Sequence, residues 1–332
     1  MGLSIIIINY RTPKLLIDCL AELYRDPESQ SFEIIIVDND SRDDSREHIT
    51  LAFPGVKWHQ MAYNAGFSRA NNAGMKLATG DTVLLLNADT LPRGEVVAEC
   101  YRRLKASTFV AAGVQLLNAD GSHQISGNYA MRGGLNYLLP LPYLGKAVKW
   151  LGERTGAKKP HVSECGVVAE VDWINGAFLM VKKDAITMAG PMDEDFFLYA
   201  EEAEWCGRLS KIGKLCLYGD LQVIHFQGST AVQLYGQAAK GYVNLYDRKG
   251  LQLMLSNFVR IRKQFGVGWF LFQLFWYLLD IPVFFGGLVV SRIGGKRMAS
   301  VGDFGRYCRN VWYIVRKTGI IIRNKPHFYK VL

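Results

Sequence analysis

The stretch Thr82-Val83-Leu84-Leu85-Leu86-Asn87-Ala88-Asp89-Thr90 decides the fold of this chain. Its unbroken Val–Leu run reads as a strand buried on both faces, and the run stops abruptly at a polar cluster. In open α/β sheets, ligands bind just beyond the carboxyl ends of the strands. Asp89 stands at that position, where a carboxylate can hold a divalent cation against a phosphate, because hard cations prefer oxygen ligands.

On either side of this segment, strand and helix patterns alternate. Ser4–Ile8 is a β-branched run, and Pro13–Tyr24 puts Leu16, Cys19, Leu20 and Leu23 on one helical face with Pro13 in its first turn. Glu33–Val37 predicts a second strand ending at Asp38-Asn39-Asp40-Ser41, followed by a helix capped by Ser41 or Asp43. Val56–Gln60 predicts a third strand, Asn64-Ala65-Gly66 a turn, and Phe67–Ala78 a helix closed by Gly80. Gly94–Lys105 and Val110–Gln115 add a helix and a strand. Alternation of this kind predicts a mostly parallel, doubly wound α/β sheet. From Asn118 to Cys165 the periodicity is lost, which reads as an inserted excursion near an active-site mouth. Order returns with Val167–Ile174, Ala177–Lys182, a helix over Glu201–Ile212 and a strand at Leu215–Tyr218.

Composition excludes general disorder: of 332 residues, 49% are hydrophobic and 21% charged. The net charge of +9 is placed unevenly. Residues 248–332 hold 15 Lys and Arg against only Asp280 and Asp303, so the remainder of the chain is slightly acidic. A neutral-to-acidic body with a basic tail points to an anionic surface met by the tail. Six scattered cysteines without a Cys-x-x-Cys pair read as reduced, buried thiols. Leu3–Ile8 is too short for the apolar core of a signal peptide, so the body is expected to stay in the cytosol.

Val267–Val290 is apolar except for Gln273 and Asp280, and long enough to cross a hydrocarbon core of roughly 30 Å. Asp280 near the bilayer centre, Pro282 inside the segment and basic flanks on both sides (Arg260, Arg262, Lys263; Arg292, Lys296, Arg297) favour a re-entrant hairpin or interfacial helix pair. A true span and a buried helix or oligomer interface are the other uses of such a segment.

Several residues can carry chemistry. Asp38 either caps the next helix or accepts a hydrogen bond from a nucleobase or ribose. Asn64-Ala65-Gly66-Phe67-Ser68-Arg69 offers a turn, a helix N-terminus and a cation, which suits a diphosphate or an ordinary loop. Asp193–Arg208 combines Glu201, Glu202 and other acids with Phe, Tyr and Trp. That reads either as helix-end capping or as a general base held in an apolar wall. His225, after a short apolar strand, is a structural histidine or a metal or phosphate contact.

Taken in order, SIIIINYRTP (4–13), IIIVDNDSRDDS (34–45), NAGFSRANNAG (64–74), GDTVLLLNADT (80–90), DWINGAFLMV (172–181), DEDFFLYAEEAEWCGRL (193–209) and VIHFQGST (223–230) resemble the family 2 glycosyltransferases. The likeness is strongest to the bacterial rhamnosyltransferase-like branch. It implies a nucleotide-diphosphate-sugar (GT-A) fold and an inverting, metal-dependent transfer with Mg2+ or Mn2+. It also implies roles. Asn9, Arg11 and Asp38 would surround the nucleoside, and Asn64, Gly66 and Arg69 the base and diphosphate. Asp89 would be the last acid of the family's Asp-x-Asp metal motif, with Asn87 in place of the first. Trp173, Gly176 and Ala177 would border the sugar. Glu202 would be the catalytic base, Asp193 and Glu201 would also lie at the sugar and are the other carboxylates for the base's task, and His225 would complete the metal site. Ala200 and Glu202 stand where the family's Gly-Glu-Asp pattern has Gly and Asp.

The expected organisation is a catalytic domain over residues 1–230 (118–165 being the excursion), a connecting helical region over 231–264, and a membrane-associated helical tail over 265–332. The resemblance implies a nucleotide-sugar donor, with dTDP-rhamnose as a candidate. The basic, apolar tail suits a polyprenyl-diphosphate-linked glycan acceptor in cell-surface polysaccharide synthesis, a peripheral or monotopic place on the cytoplasmic face of the inner membrane, and no nucleic acid. A nucleotidyltransferase would carry a Gly-rich loop where Asn9-Tyr10-Arg11-Thr12-Pro13 stands, and a dinucleotide-dependent dehydrogenase would need Gly-x-Gly-x-x-Gly. A sugar-nucleotide-binding membrane scaffold without turnover is the non-enzymatic alternative.

Overall fold

The computed structural model describes residues 2–129, 135–155, 161–162, 164–226, 245–293 and 299–332. Strands are β1 (Leu3–Asn9), β2 (Glu33–Asp38), β3 (Lys57–Gln60), β4 (Thr82–Asn87), β5 (Thr90–Leu91), β6 (Ala111–Leu117), β7 (Gly127–Asn128), β8 (His161–Val162), β9 (Ala169–Val171), β10 (Trp173–Ile174), β11 (Phe178–Lys182) and β12 (Leu215–His225). Helices are α1 (Pro13–Arg25), α2 (Ser45–Ala52), α3 (Gly66–Leu77), α4 (Val96–Ala106), α5 (Leu144–Arg154), α6 (Lys183–Ala189), α7 (Glu201–Leu209), α8 (Arg248–Ile293) and α9 (Val301–Arg323).

The chain divides into two compact units. The first holds residues 1–131, 160–194 and 201–239; the second holds 132–159, 195–200 and 240–332. Part of the expected excursion and the short segment 195–200 therefore group with the C-terminal region, a boundary drawn differently from the divisions at 230 and 264.

In the first unit one sheet runs in the order β3-β2-β1-β4-β11-β6-β12-β5, with β9 beside β12. β3, β2, β1 and β4 are parallel, whereas β11 is antiparallel to both β4 and β6. The sheet is thus mixed. Ile5, Ile6 and Ile7 of β1 are all buried because helices cover both faces: Ile5 and Ile7 pack with Leu16, Cys19, Leu20 and Leu23 of α1, and Ile6 packs with Ala70 of α3. Each such side chain contributes on the order of 1.5–3 kcal/mol by leaving water. A small sheet, β10-β7-β8, draws β7 and β8 from the stretch expected to be irregular.

One helix start and one strand end depart from expectation. α2 begins at Ser45 after Asp44, so neither Ser41 nor Asp43 is its cap residue, although Asp43 accepts from the Ser45 amide at 3.1 Å. The strand expected to stop at Tyr218 continues as β12 to His225, past an irregularity between Tyr218 and Gln222.

The second unit is built on α5, α8 and α9, whose aromatics Phe258, Phe270, Tyr277, Phe284 and Tyr307 pack with Phe196 and Tyr329. The expected hairpin across residues 267–290 is not formed. The chain stays helical through Pro282, and its break lies earlier, at Gly266, whose φ of 89° a side chain would resist. Asp280 is fully buried and accepts the Leu144 amide at 3.1 Å, so it caps the first turn of α5. Leu271, Phe275, Leu278, Phe285 and Val289 form an exposed apolar stripe at helical spacing, while Phe270, Tyr277, Phe284 and Leu288 face inward. α8 is also the one helix among the described residues long and apolar enough to cross a membrane, by length and composition alone. Residues 231–244 of the expected connecting region, Lys296, Arg297, and Gln227–Thr230 of the last motif lie outside the described residues.

Candidate functional site

Strand order builds outward from β1 in two directions, through β2 on one side and β4 on the other. The crevice at this switch point lies beyond the carboxyl ends of β1 and β4. Asn9 ends β1 and Asp38 ends β2, paired in register. Asn9 Nδ2 donates to Asp38 Oδ2 at 2.7 Å and to Ser41 Oγ at 3.1 Å. Asp38 Oδ1 also accepts from the Ser41 amide (2.9 Å) and from Gln60 Nε2 (2.7 Å). Asp38 is therefore not a cap of α2. It ties the ends of three strands together. Arg11 lies just beyond Asn9, its amide donating to Ser41 Oγ at 2.9 Å. Arg11, Asp40 and Arg42 all have positive φ, an arrangement that costs a non-glycine residue about 1 kcal/mol or more.

Asn39 links this corner to the next. Its amide side chain donates to Asn64 Oδ1 at 3.0 Å and accepts from the Ala65 amide at 2.9 Å, gripping the turn that opens α3. Gly66 takes φ 78° there, a value that favours glycine. Arg69, one turn into α3, donates to Tyr63 Oη (3.0 Å) and to the Glu194 carbonyl (3.1 Å). Asn72 exchanges hydrogen bonds with the Met192 backbone at 2.9 and 3.0 Å and reaches Glu194 Oε1 at 3.1 Å, so Asp193 is held between two residues fixed on α3. Asn39 and Asn72 lie inside quoted motifs but carry no spacing signal that would single them out.

The acidic run splits by function of position. Asp195 pairs with Lys263 at 2.7 Å and accepts the His327 amide at 2.9 Å within the second unit. Glu204 pairs with Arg208 at 2.8 Å. Phe196 joins the second unit's core, and Trp205 the first unit's core with Nε1 donating to the Gly190 carbonyl at 2.9 Å. The aromatics thus serve packing. Glu201, nearly buried, and Glu202, half-buried, open α7. A Cβ at Gly176 would lie 3.4 Å from Glu202 Cβ and 3.8 Å from Phe67, so that glycine brings the β10–β11 turn against the starts of α3 and α7. Next to it, the Ala177 carbonyl accepts the Asn87 amide at 3.0 Å. Trp173 Nε1 is buried without a hydrogen-bond partner among the described residues.

Asp89 and His225 meet through strand pairing. β5 lies antiparallel to β12 with His225 opposite Thr90, and the Phe226 amide donates to the Asp89 carbonyl at 2.9 Å. His225 Nε2 then stands 3.4 Å from Asp89 Oδ1, and its Nδ1 lies 2.9 Å from Gln124 Oε1. No group of three or more His, Cys, Asp or Glu among the described residues is arranged to hold a metal. One carboxylate and one imidazole fit a partial ligand set whose remaining positions belong to other donors. Burial pushes the nearby Cys19 thiol up to about 12, which removes it as a nucleophile.

This mixed sheet with its strand-end crevice is a nucleotide-diphosphate-sugar (GT-A) fold. A mannosyltransferase of Pyrobaculum calidifontis in complex with GDP-Man and Mn2+ shares it at a TM-score of 0.53 and 14% identity, over 98% of this chain and 81% of that one. Residues 4–152 match the Glycosyl transferase family 2 profile. The chain is 25% identical over 210 residues to a low-salt glycan biosynthesis hexosyltransferase of Haloferax volcanii, covering 62% of this chain and 61% of that protein. It is 24% identical over 236 residues to an N-acetylglucosaminyl-diphospho-decaprenol L-rhamnosyltransferase of Mycobacterium tuberculosis, covering 65% and 75%. Residues 4–152 are thus similar to glycosyl transferase family 2, and the curated relatives are a hexosyltransferase and rhamnosyltransferases.

Proposed function

We propose that this protein transfers a sugar, with inversion, from a nucleotide-diphosphate donor such as dTDP-rhamnose to a hydroxyl of a lipid-linked glycan acceptor. The observation that carries the reading is the meeting of Asp89 and His225 at the switch point, beside the turn that seats Gly176 against Glu202. Asn9, Asp38 and Arg11 form the nucleoside end. Asn64, Gly66 and Arg69 line the α3 N-terminus, whose amides and partial positive charge suit the diphosphate. Trp173, with its orphaned indole N–H, Gly176 and Ala177 border the sugar. Asp89 and His225 would hold Mg2+ or Mn2+, which when bound neutralises the departing diphosphate. Glu202 accepts the proton of the acceptor hydroxyl as that oxygen attacks the anomeric carbon, and the diphosphate leaves from the opposite side.

The acceptor's lipid and the enzyme's place on the cytoplasmic face of a membrane rest on the second unit. The stripe Leu271, Phe275, Leu278, Phe285 and Val289 is exposed although all five are apolar, and basic residues surround it in sequence. A helix with one face in its own core and one apolar face outward suits an interfacial, monotopic seat. The described stripe also makes a cleaner test than removal of the whole tail, because Phe270, Tyr277 and Phe284 support the core. Phe275→Asp with Phe285→Asp should release the protein from anionic vesicles while leaving donor binding intact.

Screening nucleotide sugars for thermal stabilisation with and without Mn2+ tests the donor reading. A donor at 100 times its Kd adds about 2.7 kcal/mol of stability, and the effect should require the metal. A panel in which no nucleotide sugar stabilises the protein under either condition would remove the proposal.

A further inference from the structure

Gln124 was not visible as a functional residue in the sequence: it lies in an Asp-Gly-Ser-His-Gln stretch that carries no periodicity. In the structure it is buried, and its side chain bridges three elements. Gln124 Nε2 faces the His225 carbonyl at 2.7 Å, Asn118 Oδ1 at 2.8 Å and the Leu117 carbonyl at 3.4 Å. All three partners are acceptors. The amide orientation is therefore fixed, since the flipped amide would turn its own oxygen on three oxygens. With Nε2 so placed, Oε1 is the atom that lies 2.9 Å from His225 Nδ1. An oxygen at that distance requires a proton on Nδ1, because a bare Nδ1 would set two lone pairs against each other.

Resting on the metal reading above, we propose that Gln124 is a positioning residue that holds the His225 imidazole as its Nδ1–H tautomer, leaving the Nε2 lone pair beside Asp89 for a divalent cation. The same side chain grips the His225 carbonyl, so it fixes ring and backbone together. β12 reaches His225 as its last residue, and β5 pairs there with only two residues. A second restraint from outside the strand pair is what such a short ladder lacks. Partners of this kind, one step behind a ligating histidine, typically change metal affinity about 10–100-fold when lost.

Nitrogen-15 NMR of histidine-labelled protein, at mildly alkaline pH and without metal, tests the tautomer directly. His225 is assigned as the signal missing from His225→Ala. A protonated Nδ1 with a bare Nε2 is expected; a protonated Nε2, with Nδ1 bare or also protonated, overturns the inference whatever the metal does. Titration with Mn2+ alone, followed by the free-ion electron paramagnetic resonance signal, gives the second arm. Gln124→Met should weaken Mn2+ about 10–100-fold and add nothing further in the His225→Ala background. If His225→Ala loses affinity while Gln124→Met stays within about twofold, the positioning role falls and the metal site stands. If His225→Ala leaves Mn2+ binding unchanged, the metal reading falls and takes this role with it. The wild-type spectrum keeps the test decisive even where Gln124→Met, which also severs the carbonyl contacts, folds poorly.

Discussion

At the ends of β1 and β2, the Asp38 carboxylate receives hydrogen bonds from Asn9, the Ser41 amide and Gln60, and Asn39 carries the network on to the turn before α3. At the ends of β4 and β12, the Asp89 carboxylate faces His225 Nε2 at 3.4 Å and receives no hydrogen bond from a described residue. Both carboxylates are almost fully buried. The first corner is closed on itself and shapes the crevice. The second leaves an oxygen and a nitrogen turned toward each other with capacity to spare, an arrangement suited to a ligand from outside the chain.

The largest effect should come from the open side. Replacing Glu202 with Gln keeps the shape beside Gly176 and removes the proton acceptor. Turnover should fall by roughly 10²–10⁴-fold, the usual contribution of a general base, with donor affinity little changed. Glu201→Gln should cost far less. A larger loss in Glu201→Gln than in Glu202→Gln would move the base to Glu201, and full activity in both variants would leave the role to Asp193.

Stability should separate the corners in the opposite sense. Asp38→Ala removes the acceptor of three donors, of which Gln60 is exposed and Asn9 keeps Ser41, so a loss of about 1–3 kcal/mol, mainly from the buried Ser41 amide, is expected. Asp89→Ala strands none among the described residues and should shift the urea midpoint little. Equal destabilisation by the two variants would show that the open corner is structural after all.

That contrast also explains what the sequence could reveal. The strands came through because Ser4–Ile8, Glu33–Val37 and Thr82–Leu86 are buried on both faces and so carry uninterrupted apolar runs. The motif residues are named by resemblance, and the fold places Asn9 with Asp38, Asn64 with Gly66, and Asp89 with His225. Strands β5, β7 and β8 did not, since two residues have no period. α5 was missed inside a Gly- and Lys-containing stretch of weak pattern, and the hairpin was expected because Pro282 reads as a breaker, although flanking turns and core packing carry a helix across it. Asn72 and Gln124 act through contacts 120 and 101 positions away in sequence, which no local spacing encodes.

A third carboxylate extends the closed pattern to the far end of β2. Burial alone would raise the Glu33 carboxyl, but hydrogen bonds from Lys57, Ser4 and Thr79 outweigh it and hold it down at about 2 against an ordinary 4.5. Because the folded-state value is depressed, its stabilisation is complete above about pH 4.5 and is lost as pH falls toward about 2. On the order of 2 kcal/mol should disappear across that window in urea titrations. Glu33→Gln should flatten this part of the profile, and an unchanged slope would assign the acid sensitivity elsewhere.

The smallest effect belongs to the residue before α7. Ala200 holds φ 66° and Tyr199 φ 70°, two successive left-handed non-glycine residues leading into Glu201 and Glu202. A Cβ in that region crowds the following carbonyl and costs roughly 1–2 kcal/mol, which glycine avoids. The family pattern has glycine where Ala200 stands, and its φ supplies the physical reason. Ala200→Gly should therefore relieve strain, partly offset by the greater freedom that glycine gives the unfolded chain. A net gain of about 0.5–1 kcal/mol in a urea titration is expected, with turnover unchanged because the backbone keeps its course. A loss of stability would mean that the left-handed turn is held at no cost by its surroundings. A gain in stability with a fall in turnover would mean instead that the strain keeps Glu202 in place.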